Sequence, residues 1–357
     1  MMRVLGIETS CDETAAAVVE TTGVPARPWR VVSNVVASQV DIHREWGGVV
    51  PELASRQHVR DICGVVERAL AEAGSGWDAV DAIAVTRGPG LIGSLLVGVS
   101  FAKAAAWALG KPLVAVHHLS GHIESLWLEH GELPTPAVVL VVSGGHTSLY
   151  RVPEPGRYEA IGRTRDDAAG EAYDKVAKLL GLGYPGGPII DRLARDGRAY
   201  AIDLPLTRLT HADRNAPDRE YRFDFSFSGL KTAVLRHVRA RQAALGAERL
   251  PDGEVRDICA SFQATVVRTL VDRAFAAARW HGARSVGIAG GVSANARLRQ
   301  EAASRAAGLE GVGVFVPGLA LTTDNAAMIA AAGMRRLAAG DLAPADLNAA
   351  ATLPLGA

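Results

Sequence analysis

One pattern occurs twice in this chain. RVLGIE, TSCDET and AAAVVE run apolar strand, polar turn, apolar strand, and in the second half AVVLVV, SGGHT and SLYRV do the same. Two β-rich runs joined by a short polar turn specify a hairpin, and a hairpin that recurs specifies two related halves, the second starting near Pro134. Around the first hairpin, WRVVSNVVASQ reads as a third strand and 52–73 as a helix, with Leu53, Val59, Ile62, Val65, Val66 and Leu70 at helical spacing. DAIAVTRGPG reads as a buried strand, LIGSLLVGVSFAKAAAWALG as a helix closed by Gly110, and PLVAV as another strand. After the second hairpin come a helix over 167–180, the turn GLGYPGGP, mostly helical chain over 229–281, the strand RSVGIAGG, a helix from VSANARLRQEAA, the strand GVGVFVPG and a last helix opening at LTTDNAAMIA. This alternation predicts a mixed α/β sheet in each half.

Composition narrows the function classes. The 357 residues carry 38 basic and 38 acidic side chains, so the net charge is zero and phosphate attraction is confined to local patches. Those patches are RHVRARQ at 236–242, Arg163 with Arg165, and the cluster Arg208, Arg214, Arg219 and Arg222. With 48% hydrophobic residues a packed core is expected. The most apolar stretch, Leu91 to Leu109, is interrupted by Ser94, Gly98, Ser100 and Lys103, so no membrane span is expected. The opening MMRVLGIETS lacks the layout of a signal peptide, and three scattered cysteines, Cys11, Cys63 and Cys259, fit a reducing cytoplasm.

Five constellations can carry chemistry. In VHHLSGHIESLW, His118 and His122 are four apart and share one side of a helix turn. Two imidazoles suit Zn, Fe or Ni, and Asp324, near the start of the last helix, would complete a two-histidine, one-carboxylate set with open positions. In VVSGGHTS (141–148), adjacent glycines after a strand expose N–H groups to phosphate oxygens, and Ser143 and Thr147 add hydroxyls. In AGGVSANARLR, Ser293 or Asn295 would cap a helix whose N-terminus favours anions. In DDAAGEAYDKVAKLLGLGYPGGPIID, Asp167, Glu171 and Asp174 share a helix face, Gly186–Gly187 form a rigid loop between two prolines, and Asp191 adds a polar anchor. In TSCDET, Asp12 and Glu13 project from a turn, while Glu8, inside an apolar strand, needs a partner.

Taken together and in this order, GIETSCDETAAAVV, GGVVPELASRQH, HHLSGHIES, VSGGHT, DDAAGEAYDKVAKLLGLGYPGGP, FSFSGLKT, AGGVSAN and TDNAAMIA resemble the TsaD family of tRNA threonylcarbamoyltransferases, in its bacterial form. The resemblance implies an ASKHA fold of two duplicated lobes around a nucleotide cleft. The lobes would cover 1–132 and 133–329, with a C-terminal helix over 330–357 packing back on the first. It implies a metal held by His118, His122 and Asp324, with Fe(II) favoured and Zn possible. It places Val141, Val142, Ser143, Gly144 and Gly145 at the phosphates, and Asp174, Gly187, Asp191 and Asn295 around the nucleoside. Val141 stands where the archaeal branch has a tyrosine, so no tyrosine ligand is expected. The implied reaction moves a threonylcarbamoyl group from L-threonylcarbamoyladenylate to N6 of adenosine 37 in ANN-decoding tRNAs, with Asp12 or Glu13 as base. The implied partners are tRNA, a paralogous ASKHA-fold subunit of TsaB type, a small P-loop ATPase of TsaE type, and a separate YrdC-type enzyme that makes the donor.

Three other readings compete. HHLSGH lacks the glutamate that H-E-x-x-H places beside its first ligand, which disfavours a metalloprotease. A small-molecule kinase of the same superfold would hold Mg²⁺ through carboxylates, not a histidine pair. A non-catalytic scaffold paralogue would have no use for the complete His118, His122 and Asp324 set.

Overall fold

A computed structural model describes residues 1–206, 223–309 and 311–356. The basic cluster Arg208, Arg214, Arg219 and Arg222 lies outside the described residues. The elements run β1 (Arg3–Glu8), β2 (Glu13–Thr21), β3 (Trp29–Ser38), α1 (Val40–Arg44), α2 (Pro51–Glu72), β4 (Ala82–Gly88), α3 (Ile92–Leu109), β5 (Leu113–His117) and α4 (His118–His130). They continue as β6 (Ala137–Val142), β7 (Thr147–Val152), β8 (Glu159–Arg163), α5 (Ala169–Leu179), α6 (Gly186–Ala194), α7 (Ser228–Leu245), α8 (Asp252–Trp280), β9 (Ser285–Ala289), α9 (Ala296–Ala307), β10 (Gly313–Phe315) and α10 (Ala326–Ala338).

The chain forms two compact units. One comprises residues 1–133, 153–159 and 317–357, the other residues 134–152 and 160–316. Each holds one five-stranded sheet, ordered β3-β2-β1-β4-β5 in the first and β8-β7-β6-β9-β10 in the second. Both sheets start from an antiparallel hairpin, β1–β2 or β6–β7, and extend it by two parallel strands. Strand for strand the second order repeats the first, so the repeated hairpin in the sequence is a repeated sheet.

In the first unit both faces of the sheet are covered, which is why its strands are apolar almost throughout. Leu5, Ile7, Ala16, Val18, Ile83 and Val85 pack with α2 and α3. The alternate residues Val4, Ala15, Ala17, Val19, Ala82 and Ala84 pack with α10. The α10 face is built of small residues, and Gly6 shows how closely the helix lies. A Cβ there would stand 2.2 Å from the Ala326 carbonyl oxygen and 2.7 Å from the Ala330 nitrogen. Each buried Val, Leu or Ile contributes roughly 1.5–3 kcal/mol, against about 0.5–1.5 kcal/mol net for a backbone hydrogen bond, so side-chain packing decides where α10 sits.

Several expectations are corrected. The last helix ends at Ala338, where Gly340 takes φ +72°, and residues 341–356 contain no helix. This tail runs back along the first unit: Ala343 N–H donates to Leu113 O, Ala350 N–H to Arg87 O, and His117 Nε2 to Leu353 O. Residues 317–329 group with the first unit, not the second. PGGP is not a loop, since Gly186 and Gly187 open α6. The strand β8 and the short helix α1 carry no sequence signal strong enough to be read. Helix α3, with 18 residues and a mean hydropathy of 1.6, is long and apolar enough by composition to cross a membrane. In this fold Ser94, Leu95, Gly98, Val99, Ala102 and Ala106 are buried, and Lys103 donates to Leu347 O.

Candidate metal centre and polar array

Strand β5 passes into α4 without a connecting loop. His117 ends the strand, and its Nδ1 accepts from Leu119 N–H to cap the helix. His118 and His122 therefore fall one turn apart on a helix buried from His118 to Leu128. Their rings meet edge to face with centroids 4.8 Å apart. Gly121 lets α10 cross at this point, for a Cβ there would meet Ile329 Cδ1 at 2.8 Å. The crossing brings the residue before the Asn325 cap, Asp324, onto the histidines. Asp324 Oδ1 lies 3.1 Å from His122 Nε2 and 3.6 Å from His118 Nε2.

The three candidate ligand atoms lie within 4.8 Å of one another. Donors bonded at roughly 2.0–2.2 Å to one divalent ion stand at most about 4.4 Å apart, so the 3.1 and 3.6 Å pairs already fit and a shift of a few tenths of an ångström closes the set around an ion with open positions. The second ring nitrogen of His118 supports the fit. Its Nδ1 lies 3.1 Å from Glu8 Oε2, and Glu8 also accepts from Thr86 Oγ1 and from Ser10 N–H. A carboxylate only accepts, so Nδ1 carries the proton and Nε2 is left to bind metal, the usual outer-shell arrangement. His122 Nδ1 is buried without a partner among the described residues. The strand glutamate that needed a partner thus has three.

Charge in this pocket follows from burial and neighbours. Burial disfavours the His118 imidazolium, but Asp324 and Glu8 outweigh it and raise His118 to about 9 in the metal-free protein. Burial raises Glu8, yet the His118 charge and hydrogen bond hold it below its usual range. A raised histidine contributes stability that is complete below its unfolded value near 6.5 and is lost as pH rises through about 9. Metal binding must displace that proton. The apparent affinity for Zn²⁺ or Fe²⁺ should rise about tenfold per pH unit between 7 and 9, with close to one proton released per ion. Calorimetry in buffers of different ionisation heat checks this, and a pH-independent affinity would contradict it. Replacing Glu8 by Gln should weaken metal binding by about 10–100-fold while leaving the ligand set intact, as competition with a chelator would read.

Asp12 and Glu13 belong to the same unit. The turn spans only 9–12, and Glu13 is the first residue of β2, half-buried. Burial first, then Asp12 and Asp324, push its carboxyl well above the usual range. The turn is held from behind: His58 Nε2 donates to Cys11 O at 2.9 Å, His58 Nδ1 accepts from Thr14 Oγ1 at 2.7 Å, and Gln39 N–H donates to Asp12 O. Burial lowers His58, which keeps it the neutral ring this pattern requires. That is the structural content of GGVVPELASRQH.

The second unit gathers the remaining residues. Val141 and Val142 have no exposed surface, backbone included, so of this stretch the turn after them is what can meet a ligand. Gly144 and Gly145 are exposed, and a Cβ on either would have nothing within 4 Å. Thr147 Oγ1 accepts from Ala169 N–H and so anchors α5. Gly290, at φ +92°, packs on the Val142 carbonyl at the end of the neighbouring parallel strand, so both glycine turns lie at strand C-termini. Ligands of open α/β sheets bind at those ends. Asp174 Oδ1 accepts from Gly186 N–H at 2.7 Å, which starts α6. Asp167 and Glu171 both pair with Lys175, which offsets one of the three negative charges of the Asp167, Glu171 and Asp174 group. Asp191 and Asn295 are linked through Gln263, a residue with no signal in the sequence. Of the basic patches, Arg165 pairs with Asp224 and Arg241 with Glu254, while Arg236 and Arg239 are exposed on α7.

Comparison with known proteins closes the question of ancestry. Residues 30–331 match the model of the family TsaD: tRNA N6-adenosine threonylcarbamoyltransferase. The tRNA N6-adenosine threonylcarbamoyltransferase of Anaeromyxobacter dehalogenans strain 2CP-1 is 54% identical over 350 residues, 98% of each chain. That of Salinibacter ruber is 53% identical over 99% of this chain and all of its own. The activator of 2-hydroxyisocaproyl-CoA dehydratase from Clostridium difficile, solved with bound ADPNP, is only 12% identical. It superposes over 95% of this chain and 97% of its own with a TM-score of 0.51, which shows the shared ASKHA-type fold. The chain belongs to the TsaD family.

Proposed function

We propose that this chain transfers the threonylcarbamoyl group of L-threonylcarbamoyladenylate to N6 of adenosine 37 in ANN-decoding tRNAs, releasing AMP. The observation that carries the reading is the convergence of His118, His122 and Asp324, with Glu8 behind His118, in a chain of this family. An ion at that site supplies Lewis-acid polarisation and a template for the donor oxygens. Two imidazoles and one carboxylate favour Fe(II), with Zn the alternative.

The residues have separable tasks. The N6 amine attacks the carbonyl carbon of the mixed carbamic–phosphoric anhydride; a C–N bond forms, the C–O bond to phosphate breaks, and AMP leaves with the electron pair. The N–H groups of the 143–145 turn stabilise negative charge on that leaving phosphate. Asp174, Gly187, Asp191 and Asn295 hold the nucleoside. N6 is a weak nucleophile, so a base must take its proton. Asp12 and Glu13 fill this role, and the raised Glu13 becomes a stronger base once ionised.

Family membership supports a cytoplasmic setting and an assembly with tRNA, a TsaB-type paralogue and a TsaE-type ATPase. The test is direct: the purified chain, with and without those partners, is given L-threonylcarbamoyladenylate and unmodified tRNA. Threonylcarbamoylated adenosine and AMP should appear in equal amounts. A product formed only from ATP and a small-molecule acceptor would favour the kinase reading.

A further inference from the structure

Gln263 stands on α8, 4% exposed, between two residues that the proposed function assigns to the nucleoside. Its hydrogen bonds have only one consistent polarity. Asn295 caps α9: its Oδ1 accepts from Leu298 N–H at 3.0 Å, so its Nδ2 is the atom facing Gln263 Oε1, at 2.8 Å. Gln263 Nε2 then faces Asp191 Oδ1 at 3.1 Å, and a carboxylate only accepts. A backbone N–H fixes one end of the relay and a carboxylate fixes the other. The amide orientations, which heavy atoms alone do not give, are thereby determined. Leu, Met or Glu at this position would be unable to accept from one neighbour and donate to the other.

Two buried hydroxyls border the relay without a hydrogen-bond partner among the described residues. Ser293 Oγ lies in the turn that leads to Asn295, and Tyr173 Oη feels the charges of Asp191 and Arg297. Unpaired buried polar groups are costly, and their grouping here marks a place where a polar ligand completes the hydrogen bonding. Asn295 and Gln263 each keep one spare amide hydrogen, and Asp191, whose Oδ2 also accepts from Arg195 at 3.2 Å, keeps a further lone pair on each oxygen. Spare donors suit the ring nitrogens of a purine, and a carboxylate suits ribose hydroxyls.

We propose that Gln263 is a positioning residue for the adenosine moiety: it holds Asp191 and Asn295 in one fixed donor–acceptor order and thereby sets the affinity for the adenylate donor. The inference rests on the nucleoside role proposed above for those two residues.

The experiment uses the full chain with AMP as equilibrium probe and the adenylate donor in steady-state assays. Gln263→Met should raise the AMP Kd and the donor KM about tenfold or more, with kcat within about twofold and metal content unchanged. Gln263→Glu faces Asp191 with a second carboxylate and should lose at least as much. Adding Asp191→Asn to Gln263→Glu restores a donor opposite an acceptor and should regain AMP affinity over Gln263→Glu alone. Wild-type AMP affinity in Gln263→Met overturns the proposal, and so does a double variant no better than Gln263→Glu when Asp191→Asn alone keeps near wild-type AMP affinity. If Gln263→Met does not fold, the Glu and Asn pair carries the test. If the wild-type chain binds no AMP, the nucleoside reading falls. The relay is then still seen as thermal-stability coupling between Gln263→Met and Asn295→Ala.

Discussion

Changing His122 to alanine should empty the metal site and abolish threonylcarbamoyl transfer together, by at least ~100-fold in kcat/KM. The imidazole is fully buried, and its Nε2 is 3.1 Å from Asp324 Oδ1. His117, the adjacent histidine, does not replace that atom, because it is turned away to cap α4 and to bond Leu353 O. With His118 and Asp324 alone, two donors remain, too few to hold an ion against water. His122→Gln, which keeps most of the volume, separates loss of a ligand from loss of packing, and should be folded, metal-poor and inactive. Metal content by mass spectrometry and transfer to tRNA are read on the same preparation. A metal-free variant with full activity would refute the ligand role.

Arg335→Met should destabilise the first unit by about 3–5 kcal/mol, the cost of leaving a buried charge without its partner. Glu124 lies on α4, has no exposed surface, and receives Arg335 through both oxygens at 2.8 and 2.7 Å. Tyr158 adds a hydrogen bond to the same carboxylate, and the Arg335 guanidinium stacks over Trp29 at 4.7 Å. The pair joins the helix that carries both histidines to the helix that begins beside Asp324. Combining Arg335→Met with Glu124→Leu removes both charges and should recover much of the loss, because apolar groups can replace a buried pair at little cost. Denaturant unfolding measures both variants. A single substitution costing under about 1 kcal/mol would show that the pair is not the clamp described. Metal binding should be weaker in Arg335→Met even under conditions where it is folded.

The strands and long helices were legible because their apolar spacing is local. So was the grouping of the three candidate ligands, since His118 and His122 are one turn apart and Asp324 stands before a helix cap. What escaped depends on partners distant in sequence. PGGP looks like a turn, yet Gly186 starts a helix because Asp174, on another helix, accepts its N–H. Gln263 sits in the middle of a long helix and carries no motif; only the approach of Asp191 and Asn295 gives it meaning. The helix that the resemblance extended over 330–357 stops at Ala338, because Gly340 takes a left-handed conformation and the tail bonds to β4 and β5 instead. The acidic run at 167–174 suggested a shared binding face, and Lys175 ties up two of its carboxylates, Asp167 and Glu171.

The two hairpin tips occupy equivalent places in the two sheets, and they carry opposite chemistry. One carries Asp12 and leads into Glu13; the other carries Gly144 and Gly145. Carboxylates repel an anion and bare glycine N–H groups attract one, so a single turn serves one of these ends and not both. Two first halves joined together would carry acidic turns and no glycine turn, and two second halves the reverse.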